Sequence, residues 1–201
     1  MRFDHVILAA PDLDAAAARL FDRHGLDSVA GGEHPGFGTG NRIVPLGDGY
    51  LELMGVVDRD LARDNLLGRR VLSAADAWLG WCLTVDDADA VAQRLGLAVA
   101  PMSRRRPDGS ELSWRLAGLD ASLRDPQLPF FISWDDPSLH PGLETAEHRV
   151  EPHGIAWIEI AGERKRIGRW IEGADLDVRV CDGDPGVRSV GITTGGGAIT
   201  L

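Results

Sequence analysis

The residues with the greatest chemical reach interrupt otherwise apolar runs. His5 lies within the run of residues 3–10, and Glu52 within residues 50–57. An imidazole titrates near neutral pH and a carboxylate can take or return a proton, so such a pair suits general acid–base work. A carboxylate set among Tyr50, Leu51, Leu53 and Met54 also needs a hydrogen-bonding partner once it is buried. Two further groups bear on ligand binding. The glycine-rich loop that carries His34 and ends at Asn41 lets backbone approach a ligand closely. Trp78, Trp81, Trp114, Phe131 and Trp134 gather in the middle of the chain, as core filling or as an aromatic wall for a planar or apolar ligand. Arg115, beside Trp114, is either a clamp for a ligand carboxylate or a solvated face residue.

Other motifs fail on context. Gly36, Gly38 and Gly40 imitate a dinucleotide fingerprint, but the next element reads as a strand and not a helix. Residues 194–197 form a turn with no helix after it to receive a phosphate. Arg104, Arg105 and Arg106 precede a tight turn and read as a solvated hairpin tip. Neither Cys82 nor Cys181 lies in a nucleophile motif or a zinc spacing.

These side chains need elements to hold them. On the first strand Phe3, His5, Ile7 and Ala9 alternate with Val6 and Leu8, and on another strand Tyr50, Glu52 and Met54 alternate with Leu51 and Leu53. Between them Asp12 caps a helix with Leu13, Ala16, Ala17, Leu20 and Phe21 in helical spacing, closed by Gly25. A short strand near Ser28, a glycine-rich turn over 31–40, a strand over 41–46 and a hairpin at Gly47-Asp48-Gly49 complete a βαβββ unit. The order returns from Leu79, with a cap at Asp87, a helix closed by Gly96 and a turn at Pro107-Asp108-Gly109, and again, shortened, from Ile155. The starts at Phe3, Leu79 and Ile155 repeat with a period of 76. Expected units are 1–58, 78–135 and 153–201, joined by polar linkers of which the first is partly helical.

The runs Phe3-Asp4-His5-Val6-Ile7-Leu8-Ala9-Ala10-Pro11-Asp12-Leu13 and Tyr50-Leu51-Glu52-Leu53 resemble glyoxalase-like domain proteins of the vicinal oxygen chelate superfamily. The stretch from Gly32 to Asn41, the run Leu128-Pro129-Phe130-Phe131-Ile132-Ser133-Trp134 and His153-Gly154-Ile155 extend the resemblance over most of the chain. It implies an α+β fold of paired βαβββ modules whose U-shaped, partly closed mixed sheet surrounds a cavity, with helices outside. It also implies a divalent ion, Zn, Fe, Mn or Ni, on the first and last strands of each module, where His5 and Glu52 match the ligand positions. By the period of 76, Trp81 and Trp157 replace His5 in the later modules, and the cavity positions on the last strand of the second become Phe131 and Ser133. Two of four ligand positions are then lost, with His34, His140 and His153 as candidates for a third, since catalytic zinc normally has three protein ligands. A metal-free His5–Glu52 dyad is the alternative.

Composition bounds the rest. The 201 residues need no disulfide or metal to bury a core. The net charge of −10 disfavours nucleic acid as a partner. No apolar stretch is long enough to span a membrane, Asp12 and Asp14 break any signal-like segment, and two cysteines suit a reducing cytoplasm. The partner expected is a small molecule, and the odd third module is expected to pack alongside the others or to pair across a homodimer. The functional expectation is an enzyme acting on a small oxygenated metabolite: a lyase, isomerase or dioxygenase centred on His5 and Glu52. Its ligand would be lined by His34, Asn41, Tyr50, Trp81, Trp114, Arg115, Phe131 and Trp134. The alternative is a non-catalytic protein that sequesters an aromatic or natural-product ligand, as the superfamily's bleomycin-resistance proteins do.

Overall fold

Alternation on the first strand, β1 (Arg2–Ala9), sends Val6 to one side and Ile7 to the other, and Pro11 ends it. Asp12 then accepts the Ala15 N–H, starting α1 (Leu13–His24), which closes where Gly25 (φ +70°) returns its N–H to Phe21. β2 (Val29–His34), β3 (Thr39–Pro45) and β4 (Tyr50–Val56) complete the first unit. The linker is more ordered than its polarity suggests, since Asp58 and Asn65 cap α2 (Arg59–Arg63) and α3 (Leu66–Ser73). In the second unit β5 (Ala77–Thr84), α4 (Ala88–Leu95) capped by Asp87, β6 (Val99–Arg105) and β7 (Glu111–Ala117) lead to β8 (Phe130–Trp134). Between β7 and β8 lies α5 (Leu119–Arg124), a helix that sequence spacing had not revealed. Two 3-10 turns follow, then β9 (Pro152–Ala161), α6 (Arg164–Trp170), β10 (Val178–Cys181), β11 (Gly186–Thr194) and β12 (Gly197–Thr200).

This computed structural model describes residues 1–34, 36–74, 76–105 and 109–201, with Arg105 by its backbone alone. The turn expected at Pro107-Asp108-Gly109 and the Arg106 end of the arginine run therefore lie mainly outside the described residues. The glycine-rich stretch is less of a loop than expected, because β2 runs through Gly31 and Gly32 to His34.

Eight strands form one sheet in the order β2-β3-β4-β1-β5-β8-β7-β6, with β1 parallel to β4, β5 parallel to β8, and β1 antiparallel to β5 between the halves. The end strands β2 and β6 come into contact, where Arg104 Nη1 donates to the Gly31 carbonyl at 2.9 Å. The result is the α+β architecture expected, a mixed sheet curled almost closed. Its outer core joins Val6, Leu51, Leu53, Trp81 and Phe131 to α1, α4 and the second sheet. Its inner side carries Ile7, Met54, Phe130 and Ile132, packed with α3 and α5, so not every helix lies outside.

The second sheet, β10-β9-β11-β12, has the βαβββ element order with different pairing. β9 is parallel to β10, the first strand after its helix, whereas β1 is parallel to the last strand of its unit. It packs within the chain, burying Ile158, Ile160, Val190 and Ile192 in the outer core. The third unit therefore packs alongside the others, one of the two arrangements expected for it.

The internal repeat is 75 residues, not 76. Arg2–Ala9 superposes in sequence on Ala77–Thr84, and cap Asp12 on cap Asp87. Side chains alternate along a strand, so a one-residue slip reverses every face assignment. Gly80, not Trp81, therefore corresponds to His5. Glu52 pairs with Ile7 and Phe130 with Cys82, so Phe130 corresponds to Glu52.

Candidate functional site

His5 owes its setting to a break in the ladder. β1 pairs Phe3 with Leu83 and His5 with Cys82, leaving Asp4 as the extra residue of a bulge. Asp4 is completely buried and still charged. Burial alone would raise its pKa, but hydrogen bonds from His140 and His5, together with their charge, hold the carboxyl well below the ordinary value. Its Oδ2 accepts from Thr84 Oγ1 at 2.5 Å, Trp134 Nε1 at 2.8 Å and His140 Nε2 at 3.2 Å. His140 is fixed in that role because its Nδ1 accepts the Gly142 N–H.

An ionised carboxylate only accepts, so His5 Nδ1, 2.6 Å from Asp4 Oδ1, carries a proton. His5 Nε2 is left to face Glu52 Oε2 at 3.5 Å. Tyr50 stacks on the imidazole with ring centroids 4.6 Å apart, and Phe130 meets it edge-on at 5.3 Å. Burial, reinforced by the charges of Asp4 and Glu52, pushes the Tyr50 phenol well above 10, so it stays protonated.

Glu52 finds its partner across β3. Asn41 Oδ1 accepts the Gly32 N–H at 2.8 Å, which turns Nδ2 towards Glu52 Oε1 at 2.5 Å. Gly31 is required here because a Cβ would collide with the Asn41 side chain. His34 Nε2 lies 3.4 Å from the same carboxylate oxygen, and its Nδ1 meets the Thr39 hydroxyl at 2.9 Å. Burial lowers the His34 pKa, against the pull of Glu52.

His5, His34, Asn41, Tyr50, Glu52, Trp114 and Trp134 line one cavity that opens to solvent. Three other residues expected to line it lie elsewhere. Trp81 and Phe131 point into the outer core, where Trp81 Nε1 donates to the Gln127 carbonyl. Arg115 is exposed and forms a bidentate pair with Asp89, both bonds 2.8 Å. Phe130 and Ile132 take the cavity positions assigned to Phe131 and Ser133. His140 reaches Asp4 and not Glu52, and His153 lies on β9 at another surface. Sequence reasoning missed Asp4, though a second titratable residue in an apolar strand was a usable signal. It also missed Arg104, which lines the cavity instead of tipping a solvated hairpin.

The donors fit a superfamily-type metal centre poorly. His5 and Glu52 offer two facing atoms, but Gly80 and Phe130 at the corresponding second-unit positions offer none. Asp4, His5 and Cys82 place donor atoms within 4.8 Å of one another. Asp4 already accepts four hydrogen bonds, and burial, with the charges of Asp4 and Glu52, pushes the Cys82 thiol up, away from the thiolate a metal takes.

The glyoxalase-like domain family model matches residues 3–172, and the chain belongs to that family. Among curated proteins no match was found. A hypothetical protein from Staphylococcus aureus shares the fold at a TM-score of 0.70 and 18% identity, over 92% of this chain and 87% of that one. Methylmalonyl-CoA epimerase from Mycobacterium tuberculosis is similar at a TM-score of 0.47 and 21% identity, over 69% of this chain and 90% of its own. Among the described residues no helix is long and apolar enough to cross a membrane.

Proposed function

We propose that this protein is an isomerase or lyase that moves a proton on a small oxygenated substrate, using His5 and Glu52 without a metal. The supporting observation is the line Asp4–His5–Glu52. The buried charge of Asp4 fixes the imidazole tautomer and leaves Nε2 as a base on the cavity wall. His5 Nε2 takes a proton from the carbon beside a carbonyl. Asp4 stabilises the imidazolium, the protonated Tyr50 phenol donates to the developing oxyanion, and the proton returns from His5 or by way of Glu52. General acid–base groups contribute about 10²–10⁴ in rate.

The test is proton–deuterium exchange at the α-carbon of a panel of small keto and acyl compounds in D2O, followed by NMR after metal chelation. His5→Ala and Glu52→Gln should each slow exchange at least about 100-fold. Exchange that disappears with chelation, or that both variants retain, would refute the reading.

One observation favours a second reading. The second unit faces the cavity with Met102, Trp114, Leu116, Phe130, Ile132 and Trp134, a largely apolar surface suited to sequestering an aromatic ligand. Tight binding of such a ligand without exchange or turnover would favour it.

A further inference from the structure

The cavity is apolar along its second-unit wall, yet it contains a guanidinium. Among the described residues lining it, Arg104 is the one lysine or arginine. It projects from the end strand β6 and is pinned by its bond to the Gly31 carbonyl on β2, 2.9 Å away, so its position is set by two strands. We propose that Arg104 anchors a carboxylate on the ligand, which makes the cavity selective for a small organic anion with an apolar or aromatic body.

Four observations support this. A planar guanidinium matches a carboxylate in geometry, and apolar walls strengthen that attraction by excluding water. The charge of Arg104 reaches the site, since it adds to the dominant effect of burial in lowering the His34 pKa. Glu52 repels an anion at the other polar group, so a substrate would enter with its carboxylate towards Arg104 and its reacting carbon towards His5. The molecule as a whole, at −10, repels anions, so a preference for one has to come from a local cation. The inference rests on the cavity of the proposed function being the ligand site, but not on catalysis there.

The test compares phenylacetate with its neutral isostere phenylacetamide by isothermal titration calorimetry. The intact protein should bind the anion at least about tenfold more tightly. Arg104→Gln should abolish that preference by weakening phenylacetate far more than phenylacetamide, and Arg104→Lys should restore part of it. Equal loss of both ligands in Arg104→Gln would make the residue a seam support only and overturn the proposal. So would the absence of an anion preference in the intact protein, whether both probes bind or neither does. A preference dependent on Arg104 in a protein without exchange activity would uphold the anchor and remove the enzymatic reading.

Discussion

Asn41 shows how much one amide settles. By accepting from Gly32 it turns its donor onto Glu52, so a carboxylate inside apolar strands has a hydrogen-bonding partner. His34 beside it has the opposite problem, because burial disfavours its charged form and holds its pKa below the ordinary 6.5. The folded chain then takes that proton less readily than the unfolded one. The resulting stability is complete above about pH 6.5 and is lost as pH falls below it. His34→Gln should flatten the loss between pH 7 and 5, read from urea midpoints. The depressed Asp4 carboxyl acts with the same sign lower down, its contribution lost only as pH falls below about 4. His5 and Glu52 were legible because polar side chains interrupt apolar alternation. The role of Asp4 was not, because a bulge redirects it and alternation cannot register a bulge.

At the scale of elements, helix caps and strand alternation carried most of the reading. Asp12, Asp87, Gly25 and Gly96 mark helix ends in the sequence as they do in the structure. A repeat of strand starts, however, is not a repeat of residues. One residue of slip placed Trp81 and Phe131 in the cavity, whereas both belong to the core beneath α4 and α6. That core is well filled, with Phe131 stacked on Trp170 and Trp170 Nε1 donating to the Pro129 carbonyl. Trp81→Ala should therefore cost about 3–5 kcal/mol in denaturant unfolding. Phenylacetate affinity of the folded variant should stay close to the parent's, whereas Trp114→Ala should weaken it. α5 escaped notice because a six-residue helix is too short to show a period.

For the whole molecule, the two sheets share one core. The outer face of the large sheet is covered by α1 and α4 on one part and by β9, β11 and α6 on another. Removing residues 152–201 would uncover Trp81 and Phe131 together, a contiguous apolar patch of the kind that drives aggregation. Such a truncation should be insoluble or bind hydrophobic dyes, while the full chain should unfold in one transition by both far- and near-ultraviolet circular dichroism. The alternative outcome, a soluble truncated chain with native near-ultraviolet signal, would mean that the units are independent. Composition foreshadowed an apolar core but not its sharing, because contacts between distant units leave no local period.

The meeting of β2 and β6 has a consequence for life among other chains. A sheet's last strand ordinarily offers a row of free amides and carbonyls on which a stray neighbour can grow. Here the two last strands of the large sheet lie against each other, with Arg104 stitched to Gly31 across the join. The end strands of the smaller sheet, β10 and β12, are only four residues long. Curling the sheet thus does more than make room for a ligand: it turns the two end strands towards each other, which narrows a stray chain's approach to either.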